Sequence, residues 1–309
     1  MGQKPKVIVI AGPTASGKTA LSIELAKKIN GEIVSADSMQ IYKEMDIGTA
    51  KPTKDEMENI KHYLLDFVSP EERFSVAQYQ ELAQKKIETI LKNGKVPIVV
   101  GGTGLYIDSL VYGIKFEQTN TDMEYRSMLE KIAETDGLET LYNKAKEIDP
   151  TAMKKISPND KKRIIRVLEI YKQTGKTKTE QEIESRKQEI PFDYKVFILE
   201  MDRDKLYEKI NLRVDMMLEQ GLIEEVKQIY KKYSYFPTAM QGIGYKEVVE
   251  YLKNEISKEE MIEKIKQETR RYAKRQITWF KKDKNWKKIN ALDTLPNNIN
   301  IILEEYGER

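Results

Sequence analysis

The sequence predicts an α/β fold in which a parallel sheet is flanked by helices and followed by a helical insertion. The first observation is a β-branched apolar run, Val7–Ala11, which leads through a glycine-rich loop into the amphipathic helical pattern of Leu21–Ile29. The second is the return of short buried-strand patterns at Glu32–Asp37 and Val96–Val100. The third is a change from about 117 to about 189, where charged helical patterns replace the strand patterns.

This change in pattern also predicts the domain organisation. Residues 1–116 and 190–309 are expected to form the core domain, with Tyr194–Glu200 returning to the sheet and a last long helix over Lys258–Phe280. Residues 117–189 are expected to form the helical insertion domain.

The glycine-rich loop has the pattern G-x-x-x-x-G-K-T, which is typical of a phosphate-binding loop between a strand and a helix. Its residues are Gly12, Pro13, Thr14, Ala15, Ser16, Gly17, Lys18 and Thr19. Loop N–H groups and the start of the helix favour an anion there. Lys18 adds a positive charge, and the Thr19 hydroxyl is placed to hold Mg²⁺. The loop indicates a di- or triphosphate ligand without saying which, and it leaves open whether ATP binds.

Two polar residues follow predicted strands and are expected at the same crevice. Asp37 ends the strand pattern that begins at Glu32, and Thr103 lies in the glycine-rich turn Gly101–Tyr106. Ligands of doubly wound sheets bind beyond the carboxyl ends of the strands, which is where both residues would lie. These groups suit a substitution in which diphosphate leaves, and they equally suit transfer of a γ-phosphoryl group by a kinase.

Charge and composition narrow the possible partners and metals. From Ile262 to Lys288 there are eleven Lys or Arg against three Asp or Glu, which indicates a polyanionic partner. The chain has no cysteine and one histidine, His62. This composition rules out disulfides, Cys-ligated metals and metal sites made of several histidines. With 39% hydrophobic and 33% charged residues and no apolar signal segment, we expect a cytoplasmic enzyme without a membrane partner.

The motifs together closely resemble those of the bacterial tRNA dimethylallyltransferases, also called tRNA isopentenyltransferases. Eight blocks occur in the same order along almost the whole chain, which makes the resemblance specific. The blocks are GPTASGKT at 12–19, DSMQIY at 37–42, DIGTAKP at 46–52, HYLLD at 62–66, GGTGLY at 101–106, NDKKRIIR at 159–166, IGYKE at 243–247 and RRYAKRQITWF at 270–280.

The resemblance implies a P-loop kinase-like core and transfer of a dimethylallyl group from dimethylallyl diphosphate to N6 of the adenosine just 3′ of the anticodon, in tRNAs that read codons beginning with U. It implies Asp37 as the general base, Thr103 and the P-loop as stabilisers of the leaving diphosphate, and Mg²⁺ as the cofactor. The partners would be dimethylallyl diphosphate and the tRNA anticodon stem-loop, and we expect a monomer.

The resemblance further implies a set of tRNA-contacting positions in both predicted domains. These are Asp37, Ser38, Met39, Gln40, Thr103, Arg126, Lys162, Arg163, Ile164, Ile165, Arg166, Gln241, Gly242, Ile243, Gly244, Tyr245, Lys246, Lys274, Arg275, Gln276, Ile277, Thr278, Trp279, Phe280 and Lys281. Since N6 of adenine is a weak nucleophile that is stacked within RNA, the base would have to be drawn into the crevice.

Three other functions stay open on the residues alone. A small-molecule P-loop kinase would use the same phosphate loop but gives the basic segment no role. An NTP-gated RNA-binding protein would use both features but gives Asp37 and Thr103 no task. A related enzyme that prenylates free AMP would share the chemistry and differ in the acceptor.

Overall fold

In the computed structural model, the described residues are 4–114, 122–185 and 189–307. The chain divides into two compact units. One unit comprises Met1–Val111 and Pro191–Arg309, and we call it the core unit; the other comprises Tyr112–Ile190, and we call it the inserted unit. The predicted boundary at 116/117 lies outside the described residues.

A six-stranded sheet runs through the core unit. Its strands are β1 (Lys6–Ala11), β2 (Gly31–Ser35), β3 (His62–Tyr63), β4 (Val96–Gly101), β5 (Asp193–Glu200) and β6 (Lys287–Asn290). The order is β3-β2-β4-β1-β5-β6, and every neighbouring pair is parallel. The predicted α/β fold with a parallel sheet flanked by helices is therefore confirmed.

The helices that the structure describes surround this sheet or form the inserted unit. They are α1 (Lys18–Lys28), α2 (Val76–Lys92), α3 (Gly104–Val111), α4 (Met123–Thr135), α5 (Leu138–Ile148), α6 (Pro150–Met153), α7 (Lys161–Thr174), α8 (Lys178–Ser185), α9 (Arg203–Glu219), α10 (Leu222–Lys232), α11 (Tyr245–Leu252), α12 (Lys258–Phe280) and α13 (Leu295–Tyr306). None of them has the length and apolar character needed to cross a bilayer.

The central strand β1 is buried because helices cover both faces of the sheet. Its residues Val7–Ala11 are fully inaccessible to solvent, and it pairs with β4 on one side and β5 on the other. A strand buried on both faces reads as a continuous β-branched run, which is the pattern that predicted it. The same reasoning accounts for Ile98 and Val99 in β4.

Two edge strands and the last helix were not predicted. Strand β3 has only two residues, and β6 buries Ile289 alone among four residues. Such short edges carry too little periodicity to be read from sequence.

The carboxyl ends of β2 and β4 approach each other closely. A Cβ atom on Gly101 would lie 2.1 Å from the carbonyl oxygen of Ala36, so only glycine fits there. The backbone N–H of Thr103 donates to the same oxygen at 3.1 Å. This approach places the residues after both strands, Asp37 and Thr103, at one edge of the sheet.

Helix α12 occupies the predicted bounds, Lys258–Phe280, because a capping box begins it and an apolar face buries it. The Ser257 side chain accepts from the Glu260 N–H at 3.1 Å, and the Glu260 side chain accepts from the Ser257 N–H at 2.8 Å. Met261, Ile265 and Phe280 are buried on its inner face.

Gln276 of α12 connects the two glycine-rich loops of the core unit. Its Oε1 accepts from the Thr14 N–H at 2.9 Å, and its Nε2 donates to the Gly102 carbonyl oxygen at 2.9 Å. The side chain is buried, so both hydrogen bonds lie away from bulk water. Gln276 therefore fixes the phosphate loop against the turn that follows β4.

We expect Gln276→Leu to lower the free energy of unfolding by about 2 kcal/mol or more, because it leaves one buried N–H and one buried C=O without a partner. Chemical denaturation measures this change. Thr278→Ala on the same helix is the control, with an expected change below about 0.5 kcal/mol because the position is exposed. Equal stability of Gln276→Leu and wild type would contradict the proposed clamp.

Candidate active site

A cavity of about 460 Å³ opens at the carboxyl ends of β1, β2 and β4 in the core unit. It contains most of the residues that the sequence predicted for the chemistry. Its lining includes Thr14, Ala15, Ser16, Gly17, Lys18, Thr19, Asp37, Gln40, Thr49, Ala50, Gly101, Gly102, Arg213, Tyr272 and Gln276. The phosphate loop and Asp37 thus face one space, as ligand sites at strand ends do.

The phosphate loop has the backbone shape that an anion cradle requires. Ala15 and Gly17 both have positive φ, at 62° and 87°, and α1 begins directly after Gly17. Residues of alternating handedness turn successive N–H groups to one side. Ser16 is buried, and its hydroxyl has no hydrogen-bond partner in the described structure. A buried hydroxyl of this kind fits a ligand oxygen in the loop.

Two positive side chains converge at this loop. The Lys18 Nζ donates to the Pro13 carbonyl oxygen at 2.6 Å, and Arg213 of α9 lines the same cavity. Burial lowers the pKa of Lys18 to about 7, the Arg213 charge adds to this effect, and the Asp37 carboxylate opposes it. Burial also lowers the pKa of Arg213. A bound anion would relieve the repulsion between these two groups.

The Asp37 carboxylate is held by the backbone that follows it. Its Oδ1 accepts from the N–H of Met39 at 2.9 Å and from the N–H of Gln40 at 3.3 Å. This arrangement fixes the side chain at the end of β2 and turns it toward the cavity. A carboxylate in this position has the chemistry of a general base.

Thr103 lies on the turn after β4 and contacts Ser38, the residue after Asp37, but it is not among the residues that line the cavity. Its Oγ1 accepts from the Ser38 N–H at 2.9 Å and donates to the Ser38 hydroxyl at 3.2 Å. Tyr272 of α12 lines the cavity nearby. Burial raises the pKa of Tyr272 above its ordinary value, and the Asp37 charge adds to the rise, so this phenol stays protonated.

The donor set of the loop fits Mg²⁺ only together with a phosphate ligand. Within residues 4–114, 122–185 and 189–307, no three His, Cys, Asp or Glu side chains cluster so that they could hold a metal. Thr19 at the start of α1 supplies a hydroxyl oxygen to the cavity that Ser16 also lines. Oxygen ligands and a shared phosphate are what Mg²⁺ prefers.

The basic face predicted on α12 is exposed. Lys274, Arg275, Thr278 and Lys281 are all solvent-accessible. Arg275 lies over the Tyr272 ring, 5.6 Å from its centroid. This face is suited to phosphates of a nucleic acid.

The remaining predicted positions of α12 point inward. Phe280 is buried, and Ile277 packs against the cluster around Ala273. Trp279 lies against Gly104, where a Cβ atom would approach its ring to 2.3 Å. Phe280 is 2% and Gln276 is 5% exposed, and Gln276 also lines the cavity.

The turn before α11 is divided in the same way. Gln241 and Lys246 are exposed, whereas Tyr245 is 1% exposed and Ile243 packs on the cluster around it. A Cβ atom on Gly242 would lie 2.6 Å from the Met39 Cε, so this turn contacts the loop after Asp37. The next glycine, Gly244, begins α11.

In the inserted unit, α7 presents its cations and buries its apolar residues. Lys162 and Arg163 are exposed, whereas Ile164 and Ile165 are buried in the core of that unit and have no surface for a ligand. The predicted contact at Ile164 and Ile165 would therefore not involve their side chains.

Two arginines of the inserted unit share a buried carboxylate. Arg126 lies 3.6 Å from Glu169, and Arg166 lies 3.5 Å from it. Glu169 is 1% exposed, so it fixes both guanidinium groups at the surface of the unit.

Three residues have structural roles that the sequence did not assign. Arg213 lies in a plain helical pattern and lines the cavity, Glu225 of α10 binds the loop at 46–48, and Gln276 joins the phosphate loop to the turn after β4. The groups that each of them meets are distant in sequence, so tertiary packing is what brings them together.

Comparison with known proteins bears on this site. A relative from Acetivibrio thermocellus named tRNA dimethylallyltransferase is 55% identical over 307 residues, covering 97% of this chain and 98% of the relative. A crystal structure of a tRNA isopentenylpyrophosphate transferase from Bacillus halodurans has a TM-score of 0.73 and 41% identity, covering 98% of this chain and 96% of the other.

A eukaryotic dimethylallyltransferase solved acting on tRNA has a TM-score of 0.75 and 35% identity, covering 94% of this chain and 74% of the other. The model of the IPP transferase family matches residues 40–283. The resemblance predicted from the sequence blocks is confirmed, and this chain belongs to the IPP transferase family.

Proposed function

We propose that this protein transfers a dimethylallyl group from dimethylallyl diphosphate to N6 of the adenosine 3′-adjacent to the anticodon, in tRNAs that read codons beginning with U. One observation carries the proposal: a phosphate loop with two cations and a fixed carboxylate line a single cavity. The named activities of the relatives support it. The enzyme would act as a monomer in the cytoplasm.

The phosphate loop would bind the diphosphate and stabilise it as it leaves. The phosphate loop with its Ser16 hydroxyl, Lys18 and Arg213 line the cavity in which negative charge would develop. Donors that are already oriented in a desolvated cavity stabilise such charge most effectively. Thr103 would complete this side of the cavity from the turn after β4.

Asp37 would act as the general base. As the adenine N6 attacks C1 of the dimethylallyl group, the C1–O bond to diphosphate breaks and N6 becomes positively charged. The carboxylate would accept the N6 proton, which restores a neutral amine. The hydrogen bonds from Met39 and Gln40 orient Asp37 before the base arrives.

Mg²⁺, when bound, would neutralise charge on the diphosphate oxygens. Thr19 is the residue that would hold it, together with those oxygens. The other groups that would contact the diphosphate belong to the protein itself.

The tRNA would be bound by exposed cations of both units. In the core unit these are on α12 and at Lys246, and in the inserted unit they include Lys162 and Arg163. Phosphate contacts would offset the free-energy cost of unstacking the adenosine, which is roughly a few kcal/mol. Such binding weakens as salt rises.

Replacing the proposed base tests the function directly. We expect Asp37→Asn to lower kcat for transfer to unmodified tRNA by about 100-fold or more, because it removes the proton acceptor and keeps the shape. Binding of tRNA should stay close to wild type. Radiolabelled dimethylallyl diphosphate gives the rate, and Asp55→Asn, at an exposed position, is the control. Equal losses of rate and of tRNA binding would contradict the catalytic role.

The pKa of Lys18 predicts proton uptake when diphosphate binds. The free side chain is half neutral at a pH of about 7, whereas a bound anion favours its charged form, so affinity for dimethylallyl diphosphate should fall as pH rises above 7. Titration calorimetry at pH 8 in buffers of different ionisation enthalpy measures the uptake.

Lys18→Arg is the control for this uptake, because a guanidinium stays charged at pH 8. It should bind the diphosphate with less proton uptake than wild type. Identical uptake by Lys18→Arg and wild type would show that another group takes the proton.

The basic face of α12 is tested by its salt dependence. We expect Lys274→Ala with Arg275→Ala to raise the apparent KM for tRNA and to lower the slope of log affinity against log salt by roughly one to two. Lys85→Ala with Lys92→Ala on α2 removes the same charge from exposed positions outside the basic segment, and it is the control. An unchanged slope in the α12 variant would exclude this face from RNA binding.

A further inference from the structure

Glu225 of α10 binds the backbone of a loop that is distant in sequence. Its Oε2 accepts from the N–H groups of Asp46 at 3.0 Å and Ile47 at 2.7 Å, and its Oε1 accepts from the Gly48 N–H at 3.1 Å. The Tyr245 hydroxyl donates to Oε1 as well, at 2.6 Å. One half-buried carboxylate therefore receives four hydrogen bonds.

The loop also packs tightly against the ring that shares this carboxylate. A Cβ atom on Gly48 would lie 2.5 Å from Cε2 of Tyr245, so the backbone lies flat on the buried ring. Three consecutive N–H groups pointing at one anion form a nest, which an anionic side chain fills here. The loop position is therefore determined from α10 and α11.

The same loop forms a wall of the cavity. Thr49 and Ala50 line it, and both of their carbonyl oxygens accept from the Gln40 side chain at 3.1 Å. The Gln40 N–H in turn donates to the Asp37 carboxylate at 3.3 Å. Gln40 thus connects the loop that Glu225 holds to the proposed base through hydrogen bonds of its side chain and of its backbone.

We propose that Glu225 is a positioning residue for transfer: it holds Asp46–Gly48, so that Thr49 and Ala50 fix Gln40 and, through it, Asp37. The inference rests on the proposed function, since the base it positions is the one named there. Glu225 itself does not line the cavity and touches no reacting atom. Its negative charge is essential because an amide in its place would direct an NH₂ group at backbone donors.

Glu225→Gln tests the proposal, with the rate and the tRNA KM measured separately. We expect kcat to fall about tenfold to a hundredfold, because a base displaced by a fraction of an ångström loses its alignment. The tRNA KM should stay within about twofold, since the exposed cations are unchanged. Glu224→Gln on the same helix is the matched control, because this exposed neighbour has an ion pair with Lys227 and a hydrogen bond from Gln228, both within α10.

Glu225→Asp provides the second variant, and it keeps the charge on a shorter side chain. It should recover part of the rate lost in Glu225→Gln, which a purely packing role would not restore. A thermal melt of each variant confirms that the folded enzyme is assayed.

A double-mutant cycle tests whether Glu225 acts through Gln40. If Glu225 acts through Gln40, then Glu225→Gln combined with Gln40→Ala should cost no more than about threefold beyond the larger single loss. Losses that multiply would overturn the proposed path. A wild-type kcat in Glu225→Gln, with wild type active on tRNA, would overturn the positioning role alone. Inactivity of wild type itself would instead overturn the proposed function.

Discussion

Two cations that share one desolvated cavity are the constraint on which the site depends. Lys18 and Arg213 repel each other, and burial disfavours the charge of both, as the lowered pKa of each group indicates. Lys18 begins α1 and Arg213 lies in α9, so the two cations reach one cavity from different helices. An anion with two or more charges would relieve this repulsion, and the two cations therefore favour such a ligand over a neutral one.

Polar side chains from distant helices keep this arrangement rigid. Gln276 joins the phosphate loop to the turn after β4, and Glu225 holds the loop at 46–48. Each satisfies backbone groups that glycine-rich or irregular loops leave unpaired, which would be costly in a buried place. These loops are therefore held in place by helices that follow them by more than 170 residues.

A feature could be predicted from the sequence where the residues that specify it are neighbours, and not where they are distant. The phosphate loop, β1 and α12 were predictable because each is specified by neighbouring residues: a β-branched run, glycines at fixed spacing, or a capping box. Arg213, Glu225 and the clamping role of Gln276 were not, because their partners are supplied by tertiary packing. Ile164 is buried whereas Lys162 is exposed, and this difference depends on how α7 packs in the inserted unit.

Helix α12 combines two tasks on opposite faces. Gln276 is buried at the phosphate loop, while the adjacent Arg275 and nearby Lys274 are exposed to solvent. Residues 274–276 lie within one turn of α12, so a ligand that displaces the outer face of the helix also displaces the inner face. An RNA bound to the basic face would therefore act on the same rigid element that sets the shape of the phosphate loop. If the tRNA binds the basic face as proposed, its contacts and the hydrogen bonds of Gln276 to the phosphate loop lie on the same helix of the core unit.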